Sequence, residues 1–513
     1  PRRALVIGPA HDIAAAGVDR ALGAPGTDEH HGTAAPFVHV PATVAGAHAA
    51  DPGAADAAPG RWPAERRERS ALVPGESVPG DLLPEDASPI IGGPLGRRVA
   101  PRRRSLRHLL PLITVMVIVP MAAAVTRQGH CMRQGWNGDE QFWRGCFSDL
   151  PAQYQIAGLG SGLPGWLTSG RTPEQMPLLS GLMALVGGFV PDGGSWLDQT
   201  RWYMTLWIVL LAGCAVVGVW CVARLRPTRL DLATQLALSP VYVVAALLTG
   251  DLVVVALVLG AMLAHGLRRP TLAGVLLGLG MTGHGWVALV LVALLVSTRR
   301  FGHRREAFRT AAVAVVTALV VCGALLVIAP EVVTGPLTTW WGTRAGYGSV
   351  LMIPSLVGHP LPAWVSGVFA VVGWAGAVYA AWIMAKRAWR PATWAQVAAF
   401  SVPVLALTGI AVPVQAALWV LPLAILAGVS WRTHLGFVAV EAVHASALWL
   451  HIGAASDPDT GLPGTWYAIV LLGRAVAWCF LLWSVWYTPV DNPAPRPQAP
   501  YRPVRHPQET ARG

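Results

Sequence analysis

Acidic residues are sparse after residue 108, so each carboxylate beside an apolar run is a candidate for chemistry. Asp149 comes first. It stands in Cys146-Phe-Ser-Asp-Leu-Pro151, within the polar stretch that follows the first long apolar run. A carboxylate at a membrane surface can act as general base, removing the proton of an acceptor hydroxyl during sugar transfer. Read structurally, the same residue is a helix N-cap or a loop acceptor. Asp251 opens another apolar run just after Gly250, where the positive end of a helix favours negative charge. It serves either that helix start or a secondary polar site, for which Glu174 and Gln415 are the other candidates. His284 interrupts an apolar run, and a polar ring at such a break contacts either a phosphate or another helix. Arg171 and Arg344 carry guanidinium groups that match phosphate geometry, although an interfacial headgroup anchor explains either one equally. Tyr347 is grouped with them as a candidate for holding a phosphate-bearing lipid. Cys131 and Cys146 flank the first polar segment, and a disulfide between them is permitted if that segment is extracytoplasmic.

These residues need positioning elements, and the hydropathy pattern supplies them. Only 13% of the 513 residues are charged while 54% are hydrophobic, against roughly a quarter charged in an ordinary soluble domain. The pattern predicts an all-α, polytopic transmembrane helical bundle. Apolar runs occupy 106–125, 203–223, 230–248, 252–266, 271–283, 285–298, 310–328, 361–385, 393–410, 416–429, 434–450 and 467–486. That gives about twelve spans, two of them short and hinged at His284. A further run, 176–190, is either a crossing or a juxtamembrane helix. The arginine distribution favours the second choice, since it places Arg224, Arg226, Arg229, Arg268 and Arg269 on the same side as Arg102 to Arg104. Both termini are then cytoplasmic, the protein sits in the plasma membrane, and the loops holding Asp149 and Tyr347 face outside. Trp340, Trp341, Tyr347, Trp466 and Tyr467 suit an interfacial aromatic belt.

Residues 1–96, rich in Ala, Pro and Gly, lack any sustained apolar period and read as a disordered cytoplasmic extension. Residues 97–488 form the transmembrane domain, and 489–513 a Pro/Arg-rich cytoplasmic tail. The net charge of +11 is spread in arginine clusters beside apolar runs, which argues against a nucleic-acid partner. Lys386 is the only lysine, so no Walker loop exists, and no His-Glu-x-x-His or paired Cys-x-x-Cys metal motif occurs. The sequence thus assigns no metal ligand and no certain cofactor, and leaves a divalent metal open. Cys214, Cys221, Cys322 and Cys479 lie in apolar runs and read as small packing residues. Gly278-Leu-Gly280 reads as a small-residue helix face for close packing.

Six motifs in order extend from about Ile91 to Arg505. They are Ile-Gly-Gly-Pro-Leu-Gly-Arg at 91–97, Cys-Phe-Ser-Asp-Leu-Pro at 146–151, Met-Pro-Leu-Leu-Ser-Gly-Leu at 176–182, Thr-Gly-Asp-Leu at 249–252, Leu-Ala-Gly-Val-Leu-Leu-Gly-Leu-Gly at 272–280, and Leu-Trp-Val-Leu-Pro-Leu-Ala at 418–424. In this series the chain resembles actinobacterial integral-membrane glycosyltransferases of the GT-C type, specifically family 87, the polyprenol-phosphate-mannose-dependent α-mannosyltransferases. The resemblance implies a GT-C-like bundle with juxtamembrane helices in its outer loops and a polyprenyl-phosphate sugar, mannose, as donor. It also implies an extracytoplasmic glycan or glycolipid acceptor, with Asp149 as the base. Two patterns differ. His284-Gly-Trp-Val stands where relatives place Lys-Leu-Tyr-Pro, and Val412-Pro-Val-Gln415-Ala replaces Tyr-Ser-Pro-Gln-Tyr. Loss of the lysine keeps a second class open: a catalytically lapsed scaffold that binds or translocates lipid-linked glycans.

Overall fold

A computed structural model describes residues 77–79, 103–168, 174–301, 304–342, 345–387, 392–457 and 459–488, all within the unit Ala71–Asp491. The extension 1–96, apart from 77–79, and the tail 489–513 lie outside the described residues, as do Arg171 and Arg344. Helices make up nearly everything described. The exception is a three-residue antiparallel ladder pairing Ser77–Pro79 with Arg103–Ser105.

The first long helix is α1, Leu106–Arg127. The polar stretch after it folds into short helices: α2 Gly129–Gln134, α3 Glu140–Trp143, α4 Asp149–Ile156 and α5 Gly162–Thr168. The ambiguous run 176–190 forms the 11-residue helix α6, Pro177–Gly187, started by a proline that needs no intrahelical amide partner. Next come α7 Trp196–Leu225, α8 Leu230–Ala237, α9 Val241–Ala245, α10 Asp251–Gly266, α11 Pro270–Gly283, α12 Val287–Phe301, α13 Arg304–Ile328 and α14 Pro330–Gly342. The last group comprises α15 Ile353–Leu356, α16 Ala363–Arg387, α17 Trp394–Leu407, α18 Ala416–Leu426, α19 Trp431–Gly453 and α20 Gly464–Tyr487. Capping boxes mark two of the starts: Ser195 with Asp198 ahead of α7, and Thr393 with Gln396 ahead of α17.

Among the described residues, six helices are long and apolar enough to cross a bilayer: 109–127, α7, α13, 363–386, α19 and α20. They mark the chain as a helical membrane protein. Among the described residues, other apolar runs form the shorter helices α6, α10, α11, α12, α17 and α18, of 11 to 16 residues. At 1.5 Å per residue the 11-residue helices α6 and α18 rise only about 17 Å, well short of a hydrocarbon core of about 30 Å. Helices this short are tolerated where protein surrounds their ends. α18 fits that condition, for all eleven of its residues are buried, as expected of a helix that is apolar all round.

The predicted run 230–248 is not one helix. It breaks between α8 and α9 at Ser239-Pro240, because proline removes an amide and clashes with the preceding turn. The break at His284 occurs as expected, with α11 ending at Gly283 and α12 starting at Val287. The small-residue face on α11 also does what its composition requires. A Cβ added at Gly278 would fall 2.6 Å from Thr317 Cβ on α13, so the two backbones approach closely. α13 otherwise presents its flanks outward, with only 6% of its most apolar stretch buried. The cysteines divide: Cys221 is buried, whereas Cys479 lies on the exposed face of α20 and does not pack into the core.

Candidate functional site

The polar stretch before Asp149 is held by a disulfide between Cys131 and Cys146. Ser148, the next residue but one, is fully buried. Its hydroxyl caps α4 by accepting from the Leu150 amide, and it donates to the Leu247 carbonyl at 2.7 Å. The Asp149 amide donates to the Leu248 carbonyl at 2.9 Å. Two adjacent residues therefore hang the start of α4 on the unwound segment 246–250. That segment supplies the carbonyls because α9 has ended and α10 has not begun. On the opposite flank of α4, Tyr154 stacks on Tyr203 of α7 with ring centroids 4.4 Å apart. One turn beyond Asp149, the Gln153 amide donates to Glu174 at 3.1 Å.

Asp149 is half-buried at this junction. Burial pushes its carboxyl up to about 7, with further rises from the charges of Glu174 and then Asp251. A lone carboxylate in a poorly solvated, negatively charged setting binds its proton more tightly, because ionisation would create uncompensated charge.

Asp251 is the first residue of α10 and only 2% exposed. Its Oδ2 accepts from the indole Nε1 of Trp419 at 2.9 Å. His284, half-buried at the α11–α12 break, lies over Trp419 with ring centroids 4.3 Å apart, and Trp286 stacks on the same indole at 6.1 Å and 17°. Two interruptions in the helical bundle, at 246–250 and 284–286, thus meet the first turn of α18 around Asp251. Unwound backbone at membrane depth is confined to protein interiors and cavities, which is where substrate sites in helical membrane proteins form.

Of the sequence candidates, Asp149, Glu174, Asp251 and His284 come together. Gln415 is half-buried directly before α18, one turn ahead of Trp419. Tyr347 belongs to another cluster: its ring meets His451 edge-on at 6.2 Å, and its carbonyl accepts from Val412. Tyr467 corrects the aromatic-belt expectation. It is fully buried, accepts from the Gly348 amide at 3.2 Å and stands 3.3 Å from His444 Nε2, whereas Trp466 is 60% exposed and suits the belt. Among the described residues, no group of three or more His, Cys, Asp or Glu is arranged to hold a metal ion.

Three residues of these buried polar clusters escaped the sequence reading. Trp419 sits inside a motif but carries no feature that marks an indole as a partner for Asp251. Glu441 and Arg474 did leave a signal, since each is ionisable within an otherwise apolar run. They form a bidentate ion pair at 2.9 and 3.0 Å with side chains 1% and 2% exposed. The other three N–H groups of Arg474 go to the carbonyls of Gly348, Val412 and Pro413. All five donors of the guanidinium are used. Trp478 Nε1 adds a third bond to Glu441 at 2.6 Å. Gly348 has φ of +79°, and an added Cβ would collide with the Val412 carbonyl, so only glycine permits the crossing of the two unwound segments. No family model, curated protein or solved structure matches the chain.

Proposed function

We propose that the protein is a membrane glycosyltransferase of GT-C-like architecture with about twelve crossings. It transfers a sugar, taken as mannose, from a polyprenyl-phosphate donor to an extracytoplasmic glycan or glycolipid. The observation that carries this reading is the half-buried Asp149 carboxyl, docked on a break in the bundle near Asp251 and pushed up to about 7 by burial. A general base works best when its pKa lies near the working pH.

In this reading Asp149 takes the proton of the acceptor hydroxyl. The acceptor oxygen forms a bond to the anomeric carbon as the bond from that carbon to the phosphate oxygen breaks. Polyprenyl phosphate leaves with the electron pair. The donor phosphate is assigned to Arg171, Arg344, Tyr347 or His284. The plasma-membrane location, cytoplasmic termini and outward-facing site rest on the arginine bias.

The test is direct. Purified protein in lipid, supplied with radiolabelled polyprenyl-phosphate mannose and membrane glycolipid, transfers label, and Asp149→Asn abolishes transfer. Full activity in that variant refutes the base assignment. The second reading, a lapsed scaffold that binds or translocates lipid-linked glycans, is favoured by one observation: His284 stands where the family the sequence resembles carries a lysine. A deletion strain separates them. Accumulated unmodified glycolipid supports the enzyme, and redistributed lipid with unchanged glycan size supports the scaffold.

A further inference from the structure

Arg127 is the last residue of α1 and ends a stretch long and apolar enough to cross a bilayer. The negative end of a helix favours a cation there, which explains the charge but supplies no partner for it. Its Nε and Nη2 atoms are buried and have no acceptor among the described residues. These two donors share one edge of the guanidinium, the edge that takes two oxygens of a single anion. Elsewhere in the chain the same edge meets a carboxylate: Arg474 turns it to Glu441, and Arg229 to Asp231. The residue after Arg127 repeats the shortage. Gln128 is fully buried, its Oε1 accepts from Trp136 at 3.1 Å, and its Nε2 has no acceptor among the described residues.

The surroundings add positive charge without a counter-charge. Arg133 of α2 is exposed, and its Nη1 lies 3.8 Å from where a Cβ on Gly129 would stand, so it leans back over the α1–α2 junction. Among the described residues no carboxylate pairs with Arg127 or Arg133. An unpaired buried charge is strongly unfavourable, so an anion seated on the open edge of Arg127 stabilises the fold. The helix itself indicates the source of that anion. At about 100° per residue, the half-buried Arg127 falls on the flank of α1 between an exposed stripe, Val115, Val119 and Ala122, and a buried one, Val117 and Ala124. An exposed apolar stripe that leads to a guanidinium at the end of a span suits a molecule with a chain and an anionic head.

We propose that Arg127 holds the phosphodiester of an anionic bilayer lipid whose chains lie along Val115, Val119 and Ala122. Two phosphate oxygens accept from Nε and Nη2, and Arg133 adds charge at the α1–α2 junction. The headgroup fixes the exit of α1, from which the disulfide-held stretch leading to Asp149 departs. The site uses none of the glycosyl-transfer chemistry and stands independently of that reading.

The full chain is exchanged into lipid-free maltoside detergent, and its thermal unfolding is followed as phosphatidylglycerol, phosphatidylcholine or inorganic phosphate is added. Phosphatidylglycerol is expected to raise the melting temperature of the parent saturably, by roughly 2–4 °C. Arg127→Met removes the unpaired charge, so it should melt no lower than the parent without lipid and lose most of the response to phosphatidylglycerol. Arg127→Lys keeps the charge without the fork and should need about tenfold more lipid for half of its effect; it serves alone if Arg127→Met fails to fold. Arg144→Gln, which removes an exposed arginine paired with Glu140, should respond as the parent does. The proposal is overturned if phosphatidylglycerol leaves the parent unmoved or shifts the parent and the Arg127 variants alike. It is also overturned if inorganic phosphate or phosphatidylcholine does as much as phosphatidylglycerol.

Discussion

The proton affinity of Asp149 reports directly on how enclosed and how acidic its surroundings are. A rise from 3.8 to about 7 is about 3.2 pKa units, or roughly 4 kcal/mol against ionisation. Burial is the largest cause and Glu174 the second, so Glu174 contributes less than half of the rise, below about 1.6 units. Glu174 is exposed and held by Gln153, which makes Glu174→Gln a mild change to the fold. Infrared titration of the protonated-carboxyl band, assigned through Asp149→Asn, should place the midpoint near 7 in the parent and about 0.5–1.5 units lower in Glu174→Gln. The sign for stability follows from linkage. The folded state holds its proton to higher pH than the unfolded state, so stability is lost between about pH 4 and 7, by at most about 4 kcal/mol. Asp149→Asn should therefore match the parent at pH 4 and melt higher at pH 8. A parent midpoint near 4, or one that Glu174→Gln leaves unmoved, refutes the placement of Asp149 in this enclosed acidic setting.

Two further outcomes test the supports of the site. Arg474→Ala strands the Glu441 carboxylate and three backbone carbonyls in the interior, and should cost about 3–5 kcal/mol by chemical denaturation. The double change Glu441→Leu with Arg474→Met removes both charges and should cost clearly less than the sum of the two single changes; simple additivity would count against a coupled pair. Replacing Cys131 and Cys146 by Ser opens a bridge across a sequence separation of 15 and should cost about 3 kcal/mol, read as earlier proteolysis of the 128–150 segment under mild denaturant. Unchanged proteolysis would show that packing of Phe142 and Phe147 on Trp449 holds the segment without the bridge.

Much of the architecture was legible from residues alone, because a bilayer removes choices. Backbone polar groups must be satisfied within each segment, so long apolar runs become helices, and their ends appear where glycine, proline or polar residues interrupt them. Most of the long helices, the hinge at His284 and the close face at Gly278 followed from local composition or spacing, whereas spacing only permitted the bond between Cys131 and Cys146 that the structure shows. What composition could not reveal was which breaks meet. Asp149 and Asp251 are about a hundred residues apart, and only the Ser148 and Asp149 bonds to Leu247 and Leu248 bring them together. Trp419 meets Asp251 across 168 residues, and Arg474 reaches the Gly348 carbonyl across 126. Hydropathy is a property of segments and is read along the chain. Hydrogen bonds between unwound segments depend on how helices pack side by side, so tertiary structure alone decided that Tyr467 is a buried acceptor, that Tyr347 stands with His451, and that an indole completes the acidic site.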